Sequence, residues 1–224
     1  MSTKKIIVAV DESKEKSLKD ILSKLDQNLC MVKIGSVSFN SLGHDSILMA
    51  KDYGFNIFLD LKLHDIPNTV KKSIEALTSL PIEMLTIHTS GGRKMMEYAM
   101  QAVKGTGIKV FGVTALTSLT DIDTNQVYQR DAADQVKAML DLSVEAGIDG
   151  VVCSSHELNL VAEKGSLLSI TPGIRLKVAH DDQARVMTPK QAIDLGANFI
   201  VIGRPITASG NIKEALKEIH NSIQ

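Results

Sequence analysis

The sequence lacks a charge excess, a cysteine framework, a long apolar run and a glycine-rich dinucleotide fingerprint, and each absence excludes a class of protein. Its 25 basic residues face 26 acidic ones. A dedicated nucleic-acid or membrane-surface protein carries a basic excess or patch, so neither partner is expected. A small anionic ligand remains open, because a few local cations suffice to bind one. Cys30 and Cys153 lie in apolar runs with no CxxC and no paired spacing. That predicts two buried thiols in a reducing, cytoplasmic setting. The apolar run from Ile6 to Val10, behind Lys4 and Lys5, is too short for a signal-peptide core, and Asp11 and Glu12 follow at once. No stretch approaches the roughly 20 apolar residues that span a bilayer. No linker rich in Pro, Gly or Ser and no shift of composition divides the chain. One domain over residues 1–224 is therefore expected, although a chain of 224 residues also fits two small domains.

What is present is an alternation of short apolar strands and amphipathic helices. Strand candidates are Lys5–Asp11, Met31–Gly35, Asn56–Leu63, Met84–Thr89, Lys109–Leu116, Gly150–Ser154, Leu168–Pro172 and Phe199–Gly203. Continuous apolar runs suit parallel strands covered on both faces. Between them, Ser17–Leu29 puts Leu18, Ile21, Leu22 and Leu25 on one helical stripe. Asp131–Ala146 does the same with Val136, Met139, Leu140 and Ser143. A last helix starts at Asn211, with Glu214 placed for a capping box and Leu216 and Ile219 on its buried face. Repeated βα units imply a parallel sheet with right-handed crossovers. Eight units predict a (β/α)8 TIM barrel of the α/β class. A doubly wound open sheet is the alternative, and the missing GxGxxG after the first strand speaks against it.

In such barrels chemistry sits where strands end. The polar residues there are Asp11, Lys33, Asp60, Lys62, His88, Thr114, Thr117, Ser118, Arg175 and Arg204. The third strand is the most informative. Alternation puts Asp60 and Lys62 on the barrel face and Leu59, Leu61 and Leu63 toward the helices. Buried charges cost several kcal/mol each, in rough terms, unless paired. Lys33 and Asp65 are the candidate partners, giving alternating signs through Lys33, Asp60, Lys62 and Asp65. A plain structural ion pair between Asp60 and Lys62 is the competing reading.

The stretch Asp60-Leu61-Lys62-Leu63-His64-Asp65-Ile66-Pro67-Asn68-Thr69 resembles the DxKxxDIPNT signature of the orotidine 5′-phosphate decarboxylase family. Val8-Ala9-Val10-Asp11 and Val32-Lys33-Ile34-Gly35 are similar to that family's first two strands. His88 to Gly92, Val113 to Ser118, Gly150 to Ser154, Thr171 to Arg175, Asp182-Gln183 with Arg185-Val186, and Val201 to Pro205 extend the likeness in order to residue 205. Leu63 stands where the family often has Phe, and Val10 where Leu is usual; both are apolar exchanges away from the charges.

The resemblance implies a (β/α)8 barrel that removes CO2 from C6 of orotidine 5′-phosphate to give UMP, with no metal and no cofactor. It implies Lys62 as proton donor to C6, Asp60 beside the substrate carboxylate, and Lys33 orienting the array near the ribose. It also implies a homodimer with shared sites, in which Asp65, Ile66 and Thr69 reach across from the partner. Leu61, Leu63, His64, Pro67 and Asn68 fall inside the same substrate-binding motif. Asp11 matches a ribose-hydroxyl ligand, and Arg204 after Gly203 the phosphate anchor. The segment Arg175–Met187 matches a phosphate-gripping lid, with Arg175 and Gln183 as its ligands. Thr117 or Ser118 opens a loop over the pyrimidine.

Two other functions share parts of this pattern. Magnesium-dependent keto-hexose-phosphate decarboxylases and hexulose-phosphate synthases have the DxKxxD core, but Pro67-Asn68-Thr69, the VTxLTS stretch and TPGIR favour the nucleotide enzyme. A non-catalytic nucleotide-binding barrel is disfavoured by the intact Asp60, Lys62 and Asp65. His88 is expected to pack in the barrel's polar layer. His44, His64, His156, His180 and His220 are expected at the periphery, Met95, Met96, Met100 and Met139 in the core, and Asp181-Asp182 in solvent.

Overall fold

The computed structural model describes residues 4–116, 119–175 and 187–224. In chain order the elements are β1 (Ile6–Ala9), α1 (Glu15–Lys24), β2 (Cys30–Gly35), α2 (Ser36–Leu42), α3 (Asp45–Asp52), β3 (Ile57–Leu63), α4 (Pro67–Leu77), β4 (Met84–His88), α5 (Arg93–Ala102), β5 (Lys109–Val113), α6 (Asp121–Tyr128), α7 (Ala132–Ala146), β6 (Gly150–Val152), α8 (Leu158–Ala162), β7 (Leu168–Thr171), α9 (Pro189–Asp194), β8 (Phe199–Ile202), α10 (Arg204–Thr207) and α11 (Ile212–Ser222). The strands close into one parallel barrel in sequence order, with β8 pairing back to β1. This is the (β/α)8 TIM barrel; the open-sheet alternative is excluded by that closing pair.

Two apolar layers follow from strand alternation. Ile6, Val8, Val32, Ile34, Ile57 and Leu59 face outward and meet Leu18, Leu22, Val70, Ile74, Met95 and Leu216 of the helices. Ile7, Ala9, Met31, Phe58, Met84, Phe111, Ile170, Phe199 and Val201 fill the barrel's interior. Phe111 stands edge-on to both Phe58 and Phe199, with ring centroids 6.4 Å apart in each pair. Gly150 makes room for it, since a Cβ there would lie 2.6 Å from the Phe111 ring. This packed floor forces the next inward-facing layer, toward the strand C-termini, to open on solvent.

Most predicted elements end earlier than the sequence pattern suggests, while β2 and the first helix begin one and two residues earlier. Six strands, β1 and β4 to β8, stop short of their expected last residue, because pairing ends where the βα loops diverge, whereas β2 and β3 end at Gly35 and Leu63 as expected. The first helix runs Glu15–Lys24 rather than Ser17–Leu29, with Leu25 as its C-cap in extended conformation. Its stripe is as expected, Leu18, Ile21 and Leu22 being buried. Asp131 caps α7, its carboxylate accepting from the Asp134 N–H at 2.9 Å. The capping box expected at α11 is only half formed. Asn211 accepts from the Glu214 N–H at 3.1 Å, and the reciprocal bond from Glu214 is not made.

Candidate active site

The floor of the site is Phe58, and the chemistry begins one inward position later. Register places Ala9 beside Lys33 and Gly35 beside Asp60, so the ends of β1, β2 and β3 converge. Lys33 Nζ lies 3.3 Å from Asp11 Oδ1 and 3.3 Å from Asp60 Oδ2. Lys62 Nζ lies 2.8 Å from Asp60 Oδ1. The charges alternate along one line: Asp11, Lys33, Asp60, Lys62. Gly35 permits the approach, because a Cβ there would sit 2.9 Å from both Asp11 Oδ1 and Lys33 Nζ.

Asp60 is the buried centre of this line. Burial favours its neutral form, but Lys33 and Lys62 on either side, with the bonds from Lys62 and Thr86, outweigh it. The carboxyl is held below the ordinary carboxylate range. A buried carboxylate with two cations in contact is paired on both oxygens, as its desolvation demands.

Simple alternation does not account for the Asp60–Lys62 contact. The pairing of β3 with β4 shifts between Leu59 and Leu63, and Lys62 has φ 52°. This left-handed backbone costs about 1–3 kcal/mol for a residue with a side chain. It redirects the ammonium back over Asp60 while Leu61 and Leu63 still pack toward the helices, as expected. Thr86, fully buried on β4, holds the irregularity. Its hydroxyl accepts from the Lys62 N–H at 2.8 Å and donates to Asp60 Oδ1 at 3.0 Å.

Asp65 is a correction to the expected in-chain array. It is exposed, accepts from the Ile66 N–H at 2.6 Å, and makes no ion pair among the described residues. Asp11 takes its place as the outer carboxylate. The loop that carries Asp65 turns away after β3, because Pro67 starts α4 at its first position and fixes the entry angle. Ile66 is 66% exposed there, and Asn68 and Thr69 are exposed in the first turn of α4. His64 is exposed as well, with its ring 5.4 Å from that of His88. Burial, then the His64 and Lys62 charges, push the half-buried His88 below the usual histidine range against the pull of Asp60.

A pocket of about 450 Å³ opens beside this line, lined by Asp11, Gly173, Ile174, Arg175, Val201, Gly203, Arg204 and Pro205. Arg204 is the exposed first residue of α10, directly after β8. Arg175 lies just beyond the bridge between Ile174 and Met187, its N–H bonded to the Met187 carbonyl at 3.1 Å. Asp11 belongs to both the pocket and the charge line, so the two form one continuous surface. Thr117, Ser118, Gln183, His180, Asp181 and Asp182, and most of the expected lid, lie outside the described residues.

Two contributors escaped the sequence reading. Thr86 left a faint signal: a lone hydroxyl in the apolar strand Met84-Leu85-Thr86-Ile87-His88, on the barrel face. Gly35 left none, since its role depends on where two other side chains end.

The sequence profile described as the orotidine 5′-phosphate decarboxylase / HUMPS family matches residues 4–219. The chain is 40% identical to the orotidine 5′-phosphate decarboxylase of Mannheimia succiniciproducens, over 98% of this chain and 97% of that one. It is 42% identical to that of Wolbachia pipientis subsp. Culex pipiens, over 97% and 98%. The crystal structure of orotidine 5′-phosphate decarboxylase from Lactobacillus acidophilus superposes with TM-score 0.87 at 36% identity, covering 99% of this chain and all of the other. Likeness that runs the length of the barrel, from the first strand to the last helix, makes this chain a member of the orotidine 5′-phosphate decarboxylase / HUMPS family.

Proposed function

We propose that this protein decarboxylates orotidine 5′-phosphate to UMP and CO2 in pyrimidine biosynthesis, using its own charged side chains and no metal. The observation that carries the reading is the unbroken line Asp11–Lys33–Asp60–Lys62 running into the pocket that Arg204 lines.

In this reading the phosphate sits by Arg204, Arg175 and the Gly203 turn, with Gln183 bridging to the base and Thr117 covering it. Asp11 takes a ribose hydroxyl, next to Lys33. The pyrimidine then lies over Asp60 and Lys62. The C6–carboxylate bond breaks and its electron pair stays on C6. The Lys62 ammonium stabilises that charge and delivers its proton to C6, while CO2 departs. Asp60 and Lys33 are fixed by their mutual contacts before substrate arrives, so little reorganisation accompanies the charge shift. Phosphate binding energy is spent on assembling the site rather than on holding the pyrimidine alone.

The protein acts as a cytoplasmic homodimer. Asp65, Ile66 and Thr69 are supplied to the partner's site. The support is that an ionisable side chain, Asp65, and a large apolar one, Ile66, both stand exposed on the motif, Asp65 with no ion pair among the described residues. The free, buried Cys30 and Cys153 suit a reducing compartment.

The test is a spectrophotometric assay with orotidine 5′-phosphate, with and without EDTA. Loss of substrate absorbance at the same rate in both is expected. Activity abolished by the chelator, or faster turnover of a keto-hexose phosphate, assigns the site to the magnesium-dependent sugar-phosphate chemistry instead.

A further inference from the structure

We infer that Thr86 is a positioning residue that sets where the Lys62 ammonium and the Asp60 carboxylate meet; its catalytic consequence rests on the decarboxylase reading above. Five residues of β3, Leu59 to Leu63, run beside only three of β4, Leu85 to Ile87. The surplus leaves Asp60, Leu61 and Lys62 facing Thr86. In a regular parallel ladder the Lys62 N–H would bond a backbone carbonyl of the neighbouring strand. Here it goes to Thr86 Oγ1 at 2.8 Å.

The same hydroxyl spends its only proton on Asp60 Oδ1, at 3.0 Å. That is the oxygen the Lys62 ammonium also contacts, at 2.8 Å. One buried oxygen therefore anchors both the left-handed backbone that aims the lysine and the carboxylate it is aimed at. Thr86 is fully buried, so water has no access to replace it. The role needs a donor and an acceptor on one atom. Serine keeps both, and valine, of nearly the same shape, keeps neither.

The experiment compares wild-type protein with Thr86→Val and Thr86→Ser. The first readout is hydrogen exchange at the Lys62 amide by NMR, which needs no substrate. Loss of its acceptor is expected to speed exchange by about tenfold or more in Thr86→Val. The second is steady-state kinetics against pH. In Thr86→Val, kcat is expected to fall about 10- to 100-fold with KM within about threefold. The acid limb of kcat/KM is expected to move to higher pH. Asp60 then loses one donor while still facing Lys33 on β2 and Lys62 on β3, with His88 beyond on β4 and Asp11 behind Lys33. Thr86→Ser is expected to restore all three measures toward wild type.

Wild-type exchange at Lys62 in Thr86→Val, or an unmoved kcat and acid limb in an active protein, overturns the inference. A wild-type chain that does not turn over orotidine 5′-phosphate sinks the decarboxylase reading alone, and the amide measurement still decides the positioning. Should Thr86→Val fail to fold, Thr86→Ala removes the hydroxyl without adding bulk and is read by the same measures.

Discussion

Replacing Lys33 by methionine tests whether the charge line is a coupled unit. The side chains of Lys33 and Asp60 are only 12% and 11% exposed and stand 3.3 Å apart. At an effective dielectric of about 20, their gross attraction is roughly 5 kcal/mol, much of it offset by desolvation. Breaking a buried pair by removing one partner costs about 3–5 kcal/mol. Asp60 keeps Lys62 and Thr86, so the expected loss is lower, about 2–3 kcal/mol at pH 7. Asp11 is half exposed and loses little. For a chain of this size the melting temperature should drop by about 4–12 °C. The loss has a pH signature. In the wild type the Asp60 carboxyl is depressed, so its contribution is present above the unfolded value of about 4 and lost only as pH falls through the lower folded value. Without Lys33, burial meets less opposition and the carboxyl rises. The variant's deficit is therefore full at pH 7 and narrows as pH falls toward about 4, because a protonated Asp60 needs no cation. Urea titrations of both proteins at several pH values measure it. A deficit under about 0.5 kcal/mol at pH 7, or one that does not change with pH, refutes the reasoning.

Other perturbations address the remaining parts of the site. Arg204→Ala should raise KM for orotidine 5′-phosphate by about 10- to 100-fold, the worth of a charge-assisted phosphate contact, with a smaller effect on kcat; an unchanged KM in steady-state assays counts against the phosphate role. Mixing inactive Lys62→Ala and Asp65→Ala proteins should recover up to about one quarter of wild-type activity, since random pairing makes half the dimers mixed and each carries one intact site. No recovery, with subunit exchange verified by mass spectrometry, argues against shared sites. Gly35→Ala should leave the circular-dichroism spectrum intact but lower kcat/KM by at least about tenfold, because its Cβ displaces Asp11 and Lys33; wild-type kinetics would show that the pair can relax. Burial pushes the Cys30 thiol up to about 12 and Cys153 higher still, so neither should react with an aromatic disulfide at pH 8 until urea unfolds the chain.

The sequence by itself determined the barrel and most of its mouth. Eight apolar runs separated by helical stripes leave few ways to bury both faces of a parallel sheet, and the polar residues at the run ends mark where the loops begin. Asp60, Lys62, Lys33, Asp11 and Arg204 were legible for that reason, with the Asp-x-Lys motif fixing their kind. Only the tertiary structure decided which of them touch. Alternation along β3 predicted the Asp60–Lys62 contact, but the contact is made through a left-handed Lys62 opposite Thr86, a register shift that depends on β4 and not on the spacing within β3. Asp65 looked like the fourth charge because it is close in sequence, whereas Asp11, far away in sequence, is the one that closure of β1 against β2 brings to Lys33. Periodicity is a property of one strand, and contact is a property of several strands at once. A strand's own residues dictate which face a side chain takes, but neighbouring strands dictate how far along that face it stands.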